Sequence, residues 1–288
     1  FGGNSVTDKS LGVFVSEVVD SPSVVFTSLS FAHIKIGSKA MEPLIRVATD
    51  KSLAELDITD CKLGKKNALA LLEAVTASRG RTLTSLKIGS NGLDKAAIEL
   101  LSSELSTSLS TLRYLDIAGA GVGKNQWEAF IAVIGTSHLV SLSLVDTGLT
   151  DKSLALLCAA LSSNTHLRNL NLARNEKLGK GLGLTAMAAL LAANASKLTN
   201  VILSACKLKD RNLEQLLPAI HTNITLMALQ LDGNQFHDTV LADFLRAIDL
   251  SSNYNLALVD IRDNPGSDSA AVSELLPLAA HAECVVGH

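Results

Sequence analysis

Leucine returns along this chain on two alternating schedules. The first is Leu-x-x-Leu-x-Leu-x-x-Asn-x-Leu or a close variant, starting at Phe26, Leu53, Leu83, Leu112, Leu139, Leu167, Leu198, Leu226 and Leu256, at steps of 27 to 31 residues. The best-formed copies read LTSLKIGSNGL (Leu83 to Leu93), LRNLNLARN (Leu167 to Asn175) and LMALQLDGNQF (Leu226 to Phe236). Apolar and polar residues alternate through the first half of each copy, which predicts a short strand with one buried side. Past the ninth position the apolar spacing changes to three and four, as in DKAAIELLSSELS (Asp94 to Ser106), DKSLALLCAALSSN (Asp151 to Asn164) and RNLEQLLPAIHTN (Arg211 to Asn223). That spacing predicts a helix. Asp or Ser near the helix starts is expected to cap or favourably charge the N-terminus. Pro218 is expected to kink its helix or end it early.

One strand and one helix in each of nine copies in one register specify an α/β fold, a leucine-rich-repeat solenoid. Parallel strands lie about 4.8 Å apart, whereas packed helices need roughly 8 to 10 Å. The stack is therefore expected to curve into a horseshoe, with parallel strands on the concave face and helices on the convex face. A period of about 29 residues leaves room for a full outer helix, and in this the chain resembles the ribonuclease-inhibitor-like class. Residues 1–288 read as a single array: a partial repeat over 1–25, then full repeats starting at 26, 53, 83, 112, 139, 167, 198, 226 and 256. The ninth position holds Asn4, Ile34, Cys61, Asn91, Ala120, Thr147, Asn175, Cys206, Asn234 and Asn264. Asn there is expected to turn inward and bond the backbone of neighbouring turns. Ile34 and Ala120 cannot do so, and weaker or water-satisfied turns are expected in their repeats. Phe1 and Asn4 align with positions six and nine of a repeat, and Cys284-Val285-Val286 arrives where a further strand should begin. The chain thus reads as an excerpt from a longer array, and cut ends predict concentration-dependent self-association.

Apolar residues are 47% of the chain and aromatics 3%, so Leu, Ala, Ile and Val must fill the core. A formal net charge of −3 gives no reason to expect nucleic acid or an anionic membrane as partner. No stretch approaches the roughly 18 to 20 continuous apolar residues that span a bilayer, and the opening FGGNSVTDKS is neither a signal nor a transit peptide. Cys61, Cys158, Cys206 and Cys284 form no CxxC, which points to the cytoplasm. Cys61 and Cys206 take the ninth position as small, weakly polar groups. Two sequons, Asn194-Ala-Ser and Asn223-Ile-Thr, are read as coincidental. Gly179-Lys180-Gly181-Leu182-Gly183 lacks the spacing of a phosphate loop and is read as a loop absorbing the 31-residue step to Leu198. His138 and His166 fall just before strand starts, at a surface junction, and no HExxH, GxSxG or nucleophile–base pair occurs. The expectation is a non-enzymatic chain with no metal and no cofactor.

A binding face is predicted at the third, fifth, seventh and eighth positions of the repeats. Its acidic members are Glu55, Asp57, Asp60, Asp116, Asp146, Asp232, Asp260 and Asp263, and its basic members Lys87, Arg174 and Arg262. Tyr114 is its only aromatic residue, with Trp127 in an outer helical segment. A basic protein surface, bound with salt-sensitive affinity, suits such a face.

The run LAELDITDCKL (Leu53 to Leu63), its long helix and the following LTSLKIGSNGL resemble the CARMIL family of actin regulators. The irregular block from Leu167 to Leu208, running on to Ile224 to Asn234, is similar in its length and order. The resemblance implies a central repeat domain of a cytoplasmic, actin-associated scaffold. Its partners would be myosin I and actin capping protein, reached through flanking segments, with no direct membrane binding by the repeats. The chain has no PxxP, and no functional residue of the family is carried across. A second resemblance is to Ran-activating leucine-rich proteins, which regulate a small GTPase, although the acidic run of that group is missing here. An innate-immune or tropomodulin-like binder would share the same fold.

Overall fold

A computed structural model describes residues 6–21, 27–49, 53–77, 83–251, 253–277 and 283–285; Phe1, Asn4, Phe26 and Val286 of the repeat register lie outside them. The chain forms two compact units, Phe1–Ser143 and Leu144–His288.

In the first unit helix α1 (Asp8–Asp20) precedes four strand–helix pairs: β1 (Ser28–Ser30) and α2 (Ser38–Ala48), β2 (Glu55–Asp57) and α3 (Gly64–Ala77), β3 (Ser85–Lys87) and α4 (Lys95–Glu104), β4 (Tyr114–Asp116) and α5 (Lys124–Thr136), with β5 (Ser141–Ser143) closing it. The strands are parallel, in chain order and in register at the leucines of position four, Leu29, Leu56, Leu86, Leu115 and Leu142. The second unit runs α6 (Asp151–Leu161), β6 (Asn169–Asn171), α7 (Gly183–Ala192), β7 (Asn200–Ile202), α8 (Asp210–Thr222), β8 (Ala228–Gln230), α9 (Asp238–Asp249), β9 (Leu258–Asp260), α10 (Ala270–Leu275) and β10 (Glu283–Val285). Its strands are also parallel, aligned at Leu170, Val201, Leu229, Val259 and Cys284. Within each unit successive helices pack on one another. This is the leucine-rich-repeat fold that the leucine spacing predicts.

Each strand spans only the third to fifth positions, because the backbone turns left-handed at the eighth. His33, Asp60, Ser90, Gly119, Asp146, Arg174, Ala205, Gly233 and Asp263 all have φ between 53° and 68°. A left-handed residue cannot continue a strand. Inside, the first, fourth, sixth and eleventh positions are sealed, as Leu83, Leu86, Ile88 and Leu93 show. Trp127 lies on α5 as expected, but it is buried at 2% exposure and meets Phe130 edge-on at 6.3 Å.

The ninth-position asparagines form the expected ladder. Asn234 donates to the carbonyls of Leu203 at 2.9 Å and Leu231 at 2.8 Å, and accepts from the amides of Cys206 at 3.0 Å and Leu208 at 3.1 Å. Asn91 and Asn175 repeat this pattern. Cys61 and Cys206 supply half of it: each thiol donates back across a repeat, to Phe31 O at 3.1 Å and Leu172 O at 3.3 Å. Burial pushes these thiols up to about 12 and about 11, so both stay protonated donors at neutral pH. Ala120 is buried and brings no side-chain bond.

A second ladder, not anticipated from the sequence, runs along the turns that enter the strands of the second unit. Asn164, Asn223 and Asn253, each three residues ahead of a repeat start, are buried and accept from the amides that follow them. Asn223 also donates to Leu191 O at 2.9 Å, so one of the two sequons is part of the interior.

Two expectations about helices change. The chain stays helical through Pro218 as far as Thr222, so the proline does not end α8 early. It lies on the exposed side, where the carbonyl deprived of a donor can meet water. Asp94 caps its own helix through Ala96 N at 3.1 Å, as expected. Asp8, Asp151 and Asp210 instead reach the segment that opens the next helix. Asp8 accepts from Gly37, Lys39 and Ala40, Asp151 from Gly179, Lys180 and Gly183, and Asp210 from His237. Burial pushes the Asp8 carboxyl up, but its three amide donors outweigh that and hold it below the usual range. The glycine-rich stretch is thus a loop closed on an internal carboxylate.

Candidate interaction face

Because a strand displays alternate side chains, the third and fifth positions form two columns on the open side of each unit's sheet. In the first unit the third-position column reads Ser28, Glu55, Ser85, Tyr114, Ser141, and the fifth reads Ser30, Asp57, Lys87, Asp116, Ser143. Five strands cover about 19 Å at the usual spacing, a length that a helix or loop of another protein can cross. Tyr114 is 48% exposed and is flanked by Ser85 and Ser141, so small neighbours leave its ring standing clear. Lys87 lies 3.6 Å from Asp57 on the neighbouring strand, and Glu55 accepts from the Ser28 hydroxyl at 2.9 Å. Asp57 and Asp116 each spend one oxygen on the amide two residues on, at 3.1 and 2.8 Å. That bond fixes the carboxylate and leaves its second oxygen directed to solvent or a neighbour.

The predicted face does not come together as one site. Glu55, Asp57, Lys87, Tyr114 and Asp116 share the strand columns of the first unit. Asp60 belongs to the turn beside them, engaged by Lys62 at 2.5 Å and His33 at 3.5 Å. The Lys62 bond, with burial opposing it and His33 assisting, holds the Asp60 carboxyl below its usual range. In the second unit the columns are amide and apolar over their first strands, Asn169, Asn200, Ala228 and Leu258 in one and Asn171, Ile202 and Gln230 in the other, with the acids Glu283 and Asp260 on the last two strands. Asp260 departs from the expected exposed face, being 6% exposed and gripped by the Arg262 guanidinium at 3.0 and 2.6 Å. Burial pushes that carboxyl up, and Arg262 more than reverses the shift. Asp146, Arg174, Asp232, Arg262 and Asp263 sit at seventh and eighth positions, on the turns rather than the strands. Asp232 accepts from the Ser204 hydroxyl. His138 and His166 are exposed, as their junction positions predict. Among the described residues no group of His, Cys, Asp and Glu could hold a metal ion, and no helix is long and apolar enough to cross a membrane.

Comparison with known proteins agrees with this architecture. A family profile described as Leucine Rich repeat matches residues 163–181. The chain is 25% identical over 252 residues to the ribonuclease inhibitor of Sus scrofa, covering 85% of this chain and 53% of that protein. It is 25% identical over 233 residues to NACHT, LRR and PYD domains-containing protein 14 of Mus musculus, covering 80% of this chain and 23% of that protein. Among solved structures, LegL7 of Legionella pneumophila, a leucine-rich repeat-containing protein, matches with a TM-score of 0.52 at 16% identity over 97% of this chain and 96% of that one. The chain therefore has the fold of leucine-rich-repeat proteins and is similar in sequence to the ribonuclease inhibitor. It spans about a quarter or less of the NACHT-domain relatives and about half of the ribonuclease inhibitor.

Proposed function

We propose that this chain is a non-enzymatic protein-interaction scaffold that engages its partner on the strand face of the first unit. The observation that carries this reading is the display of Tyr114 among serines beside Asp57, Lys87 and Asp116. Tyrosine is a preferred anchor in protein interfaces, and a rim of fixed charges adds selectivity and speed of encounter. The register runs unbroken from Leu53 to Leu256, which supports reading both units as one array. The resemblance of the blocks at Leu53 to Leu63 and Leu167 to Leu208 to the CARMIL family supports reading the scaffold as one of cytoplasmic actin regulation, through capping protein and myosin I.

The test is binding of the full chain to purified capping protein and myosin I, at two salt concentrations. Binding that drops at least tenfold in Tyr114→Ala, and weakens with salt, supports the reading. Binding untouched by Tyr114→Ala and by Asp116→Lys removes the strand face. No binding to either protein removes the actin assignment.

A second reading has its own support: over 126 residues, 42% of this chain, the sequence is 25% identical to Rho GTPase-activating protein gacW of Dictyostelium discoideum. The matched stretch covers 11% of that protein, so the reading extends to that segment alone. Absence of both binding and acceleration across a panel of small GTPases would eliminate it.

A further inference from the structure

In the second unit a cleft of about 690 Å³ opens between the left-handed turns of three successive repeats and the loop leading to α7. Its walls carry Asp146, Arg174, Glu176, Lys177, Lys180 and Ala205. The volume is that of a small-molecule site, but the lining is charged where such sites are mostly apolar.

The charge is unbalanced. Glu176 is engaged by Lys207 at 2.6 Å. Arg174, Lys177 and Lys180 make no ion pair among the described residues, and Asp146 is the one other carboxylate in the lining. Three cations thus line the cleft against the single unpaired acid Asp146, the Asp151 carboxylate being taken up by the loop backbone, an arrangement that gains by capturing an anion.

The frame is also built to hold them in place. The Asp151 carboxylate accepts from Gly179 at 3.3 Å, Gly183 at 3.1 Å and the intervening Lys180 amide. From the other side Asn212 and Arg211 donate to Gly179 O at 2.9 and 3.1 Å. Gly179 has φ +77°, and a Cβ there would lie 2.6 Å from Asn212 Oδ1. The backbone of Lys177 is bridged to Thr150. Arg174 holds φ 61°, a conformation unfavourable for a residue with a Cβ, and so projects its side chain from a fixed turn. Three of the loop amides are taken up by Asp151, so recognition falls chiefly to the side chains: a planar guanidinium fork and two ammonium groups.

We propose that this cleft binds a compact, multiply charged phosphate compound of the diphosphate class. Inorganic pyrophosphate and the diphosphate of a nucleotide share that chemistry. The chain's overall negative charge argues against a long polyanion, whereas a local group of three cations suits a short one.

The test is isothermal titration of the full chain with sodium pyrophosphate and, separately, with ADP. The proposal expects one saturable site for pyrophosphate, weakening as salt is raised. Affinity should fall at least tenfold in Lys177→Gln/Lys180→Gln, and also in Arg174→Gly, which removes a cation while allowing the left-handed turn. Lys65→Gln/Lys66→Gln, on the exposed start of α3, should bind as the parent does. ADP binding more tightly than pyrophosphate would assign the site to a nucleotide, and equal or weaker ADP binding to free diphosphate; both sustain the proposal. No saturable binding, or equal losses in the α3 control, would overturn it. So would a glutamate-rich peptide that outcompetes both phosphates at the same cations.

Discussion

The two units share a leucine skeleton and differ in how it is fastened. The second unit has Asn175, Asn234 and Asn264 at ninth positions, with Thr147 ahead of them and Cys206 between, and adds the second ladder of Asn164, Asn223 and Asn253. Among the described residues the first unit has one ninth-position asparagine, Asn91, and one thiol, Cys61, with apolar Ile34 and Ala120 on either side. The open faces differ in the opposite sense: charged residues and a tyrosine on the middle strands of the first unit, amides and aliphatics on those of the second, whose acids are confined to its last two strands. Leucine spacing alone suffices for the fold, while fastening and display vary independently of it. The second unit is the better secured, and the first presents the richer chemistry.

The hardest blow to that comparison is removal of a rung. Asn234→Ala leaves two buried amides and two buried carbonyls without their side-chain partner. At about 1 to 3 kcal/mol for a buried group left unsatisfied, with partial relaxation, a loss of about 3 kcal/mol is expected in urea unfolding. Asn91→Ala removes the only such rung among the described residues of the first unit, and hydrogen exchange should then show the first unit opening ahead of the second. Equal loss of protection in both units would refute the difference in fastening. Next comes Gly183→Ala, whose Cβ would sit 2.5 Å from Asp151 Oδ1 and 3.0 Å from Asp151 backbone. A backbone neighbour cannot swing aside, so a cost of about 1 to 3 kcal/mol follows, read as a lower urea midpoint.

A gain sharpens the comparison from the other direction. Ala120→Asn supplies the missing rung to the amides of Asn91 and Leu93, which have no side-chain acceptor among the described residues. A stabilisation of about 1 kcal/mol is expected, visible as a rise in thermal midpoint; no rise would separate the ladder from stability. The smallest effect is with pH. Asp8 and Asp260 have carboxyls held below the ordinary value of 3.8. Their contribution is present above that pH and lost as pH falls through their lowered folded values. The stability difference between the parent and Asp8→Asn should therefore shrink below about pH 4, and a difference that grows on acidification would contradict the assignment.

Much of this was legible in the residues. Alternating leucines gave strand and helix in the right places, and the ninth position announced its ladder, including the two cysteines. The left-handed eighth position was not legible, because residues as different as His33, Asp60, Arg174 and Ala205 occupy it. The repeat enforces that conformation through its neighbours rather than through residue type. The carboxylates that cap the next helix were hidden for a related reason, since the bond from Gly37 to Asp8 spans 29 residues. The second ladder did leave a trace, an Asn three residues ahead of Leu167, Leu226 and Leu256. On the candidate face the spacing identified exposed columns but not the engagement of Asp57, Asp116 and Asp260 with their own turns.

The fixed eighth position has an evolutionary consequence. Within each unit it recurs from repeat to repeat at a spacing of about 4.8 Å, its backbone conformation set by the repeat. Mutation there changes what is written without changing the line on which it is written. A lineage can therefore exchange a histidine, an aspartate or an arginine along such a row in single steps, and acquire a new specificity without first having to find a new fold.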